Sequence, residues 1–232
     1  PLTAPQTLET LQELLQDAEK NSDAIHRLVA SDVGLTTRLI QIVSSSFFGR
    51  PQAVSDVGQA IHYLGLPMLN RLVSQANIFS TDVPSDKTGY EKFLNLQKDV
   101  QHFSQHVAVL LGEGPEGGPG TTGSMLATLS SLALIQMGDI VQSTPKIEHR
   151  LNQFILRLWG LPEKLVNLTR WLDNQPDGST LEVPHAIYAS RQVWLERGSQ
   201  EAGLDIDFLK SLGLASEIES WTAQIQSRIK RD

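Results

Sequence analysis

Apolar residues recur at helical spacing along almost the whole chain, and no run alternates with the period of two that a half-buried strand needs. Leu8, Leu11, Leu14, Leu15 and Ala18 form a first stripe. Ile25, Leu28 and Val29 form a second, after Ser22, a suitable N-cap. A third, Leu35, Leu39, Ile42 and Val43, follows Asp32 and is predicted to stop by Gly49, with Pro51 beyond it. The fourth comes after Ser55, carries Val57, Ile61 and Leu64, and has Gly65 as its stop. Pro67 suits the first position of a fifth, with Met68, Leu69, Leu72 and Ala76. Phe93, Leu96, Val100, Phe103, Val107 and Leu110 predict a long helix over 90–111. Its heptads are too few for a coiled coil, so it reads as a central core helix. Further helices are predicted over 124–142, 145–159, 162–172, 183–197, 206–212 and 215–230. The breaks between them are short and mostly Gly or Pro, so the expected fold is all-α, an irregular multi-helix bundle of about ten helices.

Two polar interruptions organise the chain. Residues 80–89, STDVPSDKTG, are turn-rich and divide one domain into an N-terminal helical subdomain, 1–88, and a second, 89–232. Residues 112–123, GEGPEGGPGTTG, hold six glycines and two prolines. A phosphate-binding loop is a poor reading, because no Lys-Ser or Lys-Thr pair follows, no strand precedes, and Glu113 and Glu116 would repel phosphate. A flexible surface loop is expected instead.

Composition closes off several classes of function. Without cysteine there is no disulfide scaffold, thiolate zinc site or cysteine nucleophile. With 26 acidic against 19 basic residues, a formal charge of −7 argues against coating nucleic acid or an anionic membrane by bulk charge. The most apolar stretch, Met125 to Val141, is broken by Thr128, Ser130, Ser131, Gln136 and Asp139 and does not suit a membrane span. The N-terminal residues lack a basic run before an apolar core, so a signal peptide is not expected and a cytoplasmic protein is. The first residue is Pro1 rather than Met, as in a piece cut from a longer chain.

The stretch from Ala24 to Val73 carries more than periodicity. Asp32, Leu35, Arg38, Leu39 and Ile40 make a D-x-x-L-x-x-R-L-I run. Phe47, Phe48 and Gly49 follow small polar residues, and Ala60, Ile61, Leu64 and Gly65 spell A-I-x-x-L-G. This pattern strongly resembles the HDOD family of bacterial signalling domains. Ser44 departs from it, standing where the family usually has Asn. Further on, Ser104 with Val107-Ala108 resembles a second family helix, with Phe103 in place of His. Leu126 to Val141, with Gly138, resembles the family's A-G-L-L-H-D-I-G helix, and Trp159, Gly160, Leu161 and Pro162 reproduce W-G-L-P. Val183 to Leu195 and Leu209 to Ile225 resemble the closing helices, so the resemblance spans nearly the whole chain.

HDOD domains resemble the HD metal-dependent phosphohydrolases, in which a His, a His-Asp pair and a further His or Asp converge on metal. Imidazoles and a carboxylate hold the cation, which polarises phosphate and acidifies water. This chain has no His-Asp dipeptide. Before Gly138, where the resemblance places the pair, stand Ile135 and Gln136; the first ligand position reads Phe103. After W-G-L-P, where HD enzymes often show His-His, stand Asp173, Asn174 and Gln175. No catalytic residue, metal or cofactor is therefore expected. Gln136, Asp139, His149 and Asp173 remain as the candidate lining of a relict pocket, with Glu148 beside them.

His102 and His106 share a helix face at i, i+4, but no Glu follows His102 as the zinc motif requires. His26, His62 and His185 read as packed or capped side chains, and Ser44, Ser45 and Ser46 as hydroxyls meeting the last helix carbonyls. Trp159, Trp171, Trp194 and Trp221 fall in helical phase with apolar neighbours and read as core.

The resemblance implies a non-catalytic signal-transduction module of two-component or related bacterial regulation, acting through regulatory protein partners. Phe47, Phe48 and Arg50, with the loop 80–89, are the candidate partner surface; the alternative is that both Phe rings are simply buried. A small-ligand sensor, binding a nucleotide in the relict pocket, and a residual metal-dependent phosphohydrolase are the competing readings. Neither nucleic acid nor membrane is expected as a partner, and the oligomeric state is left open.

Overall fold

Aspartates open the helices. Asp32, Asp56, Asp86 and Asp205 each accept a hydrogen bond from the N–H three residues on, at 2.8, 2.8, 2.7 and 3.0 Å. Each carboxylate satisfies a donor that the first helical turn leaves without a partner. The computed structural model describes residues 3–45, 54–75, 78, 79, 84, 86–137, 145–172, 175–194 and 204–229. Among them all regular structure is helical: α1 (Pro5–Leu15), α2 (Ser22–Val29), α3 (Val33–Ser44), α4 (Val57–Leu64), α5 (Leu66–Ser74), α6 (Lys87–Leu111), α7 (Pro119–Ala127), α8 (Leu129–Met137), α9 (Pro145–Leu158), α10 (Glu163–Leu168), α11 (Val183–Trp194), α12 (Ile206–Ser211) and α13 (Ile218–Ile229). Single 3₁₀ turns cover Thr169–Leu172 and Ala215–Glu217. The chain is the irregular all-α bundle that its periodicity predicts, cut more finely.

The caps explain most differences from the expected boundaries. Asp86 starts α6 at Lys87, ahead of the apolar pattern that begins near Tyr90. Asp56 rather than Ser55 caps α4, and Ser55 Oγ donates to its carboxylate at 2.7 Å. Asn21, not Ser22, precedes α2, and its amide turns back to donate to the Leu14 carbonyl at 3.1 Å. Pro67 lies one position inside α5, behind Leu66. After α9, Gly160 takes a left-handed φ of 71°. The Leu161 N–H then reaches the Leu156 carbonyl (3.1 Å) and the Gly160 N–H the Arg157 carbonyl (2.9 Å), locking the helix end.

Helix α3 is buried nearly all round and serves two cores. Leu35 and Leu39 join Leu11, Leu15, Ile25, Val29, Ile61 and Leu69 in an N-terminal cluster. Val33, Ile40 and Val43 join Phe93, Val100, Met125, Leu126 and Leu156 in a second cluster, built around α6, α7 and α9. Two buried hydroxyls of α3 are satisfied by backbone: Thr36 and Thr37 donate to the Val29 and Val33 carbonyls at 2.8 and 2.6 Å, whereas the Ser44 hydroxyl at the helix end is buried without a partner among the described residues.

The expected helix over 124–142 is instead two. It begins earlier, at Pro119, and breaks at Thr128, whose hydroxyl donates to the Met125 carbonyl at 2.8 Å. Asn152 of α9, almost wholly buried, fills the break. Its amide donates to the Leu126 carbonyl (2.9 Å), and its oxygen accepts from the Ser130 N–H (2.8 Å). Nor is 112–123 the flexible surface loop its glycines suggest. Gly120, Thr121, Thr122 and Gly123 are buried in α7. A Cβ on Gly123 would stand 2.9 Å from Leu168 Cδ1, and one on Gly117 3.0 Å from Ala30 Cβ. These glycines permit close approach of packed elements rather than freedom of the chain.

Candidate functional site

The position that the resemblance gives to a first metal ligand is closed by hydrocarbon. Phe103, in the middle of α6, is fully buried and packs with Val107, Ala186 and Ile187. Burying such a ring contributes about 2–3 kcal/mol, so this point of the bundle is core. Of the relict-pocket residues, His149 is half-buried on α9, and Gln136 lies in α8, which packs against α9. Asp139 and Asp173 lie outside the described residues. Among the described residues, no three His, Asp or Glu side chains are arranged to hold a metal.

The histidine pair on α6 divides. His102 is exposed, whereas His106 is half-buried, with Nδ1 2.9 Å from Ser190 Oγ and its ring edge-on to Trp221 at 4.7 Å. Burial pushes the His106 imidazole down to about 4, which keeps it neutral near pH 7. His26 Nδ1 lies 2.8 Å from the Ser22 carbonyl, and His185 Nε2 3.0 Å from the Asp177 carbonyl, as packed or capping side chains do.

The glycine-rich segment does hold an anion, and the anion is its own. Gly112 ends α6 in a left-handed conformation (φ 65°), and the Glu113 N–H bonds back to the Ala108 carbonyl at 2.9 Å. The Glu113 carboxylate then reaches forward across the turn. It accepts hydrogen bonds from the N–H groups of Gly118 (3.2 Å), Gly120 (2.6 Å) and Thr121 (2.8 Å), and from Thr121 Oγ1 (2.6 Å). A carboxylate at a helix N-terminus meets both the orphan donors and the positive end of the dipole. The reading of Glu113 as a group that repels phosphate is thus half the account: it fills the place an anion would take.

Beside this turn lies a cleft of about 680 Å³. Leu14 of α1 and Ala24, Arg27 and Leu28 of α2 form one wall; Gln101, Gln105, Ala108 and Val109 of α6 form the other. Glu113 and the turn after it close the end. Sequence reasoning passed over this cleft. Its residues come from two stretches seventy positions apart, and although Ala108 and Glu113 fall in segments singled out above, no pattern joins them to Arg27 or Leu28; the one local signal is Val109, an apolar residue outside the α6 stripe.

The HDOD domain model matches residues 2–142, more than half of the chain. The chain belongs to the HDOD family. The residues that carried the HDOD resemblance now have physical roles. Leu35, Ala60 and Ile61 are core, Leu64 is half-buried, and Gly65 turns α4 into α5 with φ 73°. Arg38 donates from Nε to the Ile78 carbonyl at 2.8 Å and from a terminal nitrogen to Gln41 Oε1 at 2.6 Å, tying α3 to the chain beyond α5. Asp32 is the most constrained. Besides capping α3 it accepts from Thr3 Oγ1 at 2.9 Å, and burial pushes its carboxyl up to about 6 against the pull of those hydrogen bonds. Trp159 packs half-buried on the second core, Leu161 is buried, and Pro162 precedes α10. Gly49 and Gly138 lie outside the described residues, as do Phe47, Phe48 and Arg50.

Beyond residue 142 the HDOD match stops, but the likeness of fold continues. The crystal structure of the MmoQ response regulator from Methylococcus capsulatus str. Bath resembles this HDOD chain over 97% of each chain, with a TM-score of 0.67 and 15% identity. At that identity the likeness is one of fold. No curated protein matches the chain. No helix among the described residues is long and apolar enough to cross a membrane.

Proposed function

We propose that this HDOD domain is a non-catalytic regulatory module of bacterial signal transduction that works through contacts with other proteins. The observation that carries the reading is Phe103. A phenyl ring, fully buried among Val107, Ala186 and Ile187, stands where the resemblance places the first metal ligand of the HD enzymes. A ring there offers no lone pair, and its packing leaves no room for a water in its place. Membership of a family of degenerate HD domains supports the same reading, and the named response regulator of similar fold is consistent with it. The proposed partner surface is the one expected from sequence, Phe47, Phe48 and Arg50.

Two measurements test it. Purified protein supplied with Mg²⁺ or Mn²⁺ should neither release phosphate from nucleoside mono- and diphosphates nor open cyclic nucleotides to monophosphates above the protein-free rate; turnover that copurifies with the folded chain would overturn the non-catalytic half. Bait recovered from its native cells should carry a defined regulatory protein that the Phe48→Ala bait loses at unchanged helicity. Equal recovery by both baits would overturn the assigned surface.

A further inference from the structure

We propose that the cleft between α2, α6 and the turn after Gly112 binds a small amphiphilic anion, its apolar body against Leu14, Leu28 and Val109 and its acidic group on Arg27. This goes beyond the regulatory reading, since it assigns a ligand rather than a protein partner. The volume, about 680 Å³, falls in the range of small-molecule sites, and such sites form where two parts of a fold meet. Here α1 and α2 face α6. Val109 is 78% exposed at the rim, a large apolar surface for a helix that is otherwise the centre of the bundle.

Charge decides the ligand's class. Two charged side chains line the cleft, Glu113 and Arg27. Glu113 would oppose an anion, but its oxygens already accept four hydrogen bonds at the start of α7. Arg27 makes no hydrogen bond or ion pair with any described residue, and Asp23, one turn earlier on α2, forms none with it. The guanidinium presents donors only and is always charged, so it selects a carboxylate, sulfonate or phosphate. The side-chain amides of Gln101 and Gln105 are likewise without a partner among the described residues and supply polar contacts along the α6 wall.

The probe is 1-anilinonaphthalene-8-sulfonate, an aromatic body with one anionic group. Its comparison is N-phenyl-1-naphthylamine, the same body without the sulfonate. Wild-type protein should bind the sulfonate saturably at one site. Filling the cleft by Ala108→Phe, or independently from the other wall by Ala24→Phe, should abolish that signal at unchanged circular dichroism. Arg27→Ala should weaken the sulfonate about threefold to fivefold, the scale of an exposed ion pair, and the neutral dye by less. Phe154→Gln with Leu158→Gln, which removes the exposed apolar pair on α9, should leave the titration in place. The proposal is overturned if the wild type gives no saturable signal, if folded cleft-filled variants titrate as the wild type does, if the α9 double variant abolishes binding, or if Arg27→Ala weakens both dyes equally.

Discussion

Two stretches of the bundle solve the same problem in different ways. From Ser31 to Gly65 each helix is opened by an aspartate that reaches three residues ahead, and α4 is closed by a glycine in the next position. From Leu111 to Asn152 the exposed backbone groups are met from further off. Glu113 spans five to eight residues to cap α7, and Asn152 crosses from α9 to hold the α7–α8 break, 22 and 26 residues away. Both obey the rule that a buried donor or acceptor must find a partner. The first uses neighbours in sequence; the second waits for the tertiary fold.

Breaking the long-range device should therefore cost more than breaking the local one. Asn152→Ala strands a buried carbonyl and a buried N–H together, and urea unfolding should show a loss of about 3–4 kcal/mol. A loss no greater than that of a local cap would erase the distinction.

Asp32 gives the next largest effect, and its sign differs. Its carboxyl titrates near 6 in the fold against 3.8 when free, chiefly through desolvation. The folded chain thus holds this proton more tightly than the unfolded chain. The resulting stability is complete below pH 3.8 and is lost as pH rises through about 6, a change of about 3 kcal/mol. Comparing wild type with Asp32→Asn by urea unfolding at each pH from 4 to 7 isolates it. The asparagine variant should lack this downward component, and parallel curves would refute the assignment.

Glu113→Ala should lose about 2 kcal/mol, because charged acceptors serve several donors at once. Asp56→Ala, the local counterpart, should lose about 1 kcal/mol in the same denaturation assay. At the small end, Arg157 and Glu163 pair at 2.6 Å in the open. Arg157→Ala should leave the urea midpoint unchanged within scatter, as exposed pairs usually do.

The same contrast explains what was legible in the amino-acid order. Helical periodicity and cap residues place the starts of α2 to α5 within a residue or two, because those signals act over three or four positions, while the ends of α1 and α3 come three and five residues earlier than Ala18 and Gly49 suggest. The family pattern in that stretch is legible for the same reason. The α7–α8 break was missed because Asn152 is an ordinary polar residue on a later helix. The glycine-rich turn was misread because composition reports the freedom of a chain and not what packs on it. The cleft depends on α2 meeting α6, a matter of tertiary approach, so Arg27 looks like any surface cation until the opposite wall is present.

One practical consequence follows from the turn that Glu113 closes. To anyone planning a tag, a fluorescent-protein insertion or a circular permutation, GEGPEGGPGTTG looks like the natural place to cut. It is a poor one: extra residues there would part the carboxylate from Gly120 and Thr121 and drive apart surfaces that meet at Gly117 and Gly123. The exposed pair Ser179–Thr180 is the better address, since it faces solvent and lies beyond the Asp177 carbonyl that meets His185.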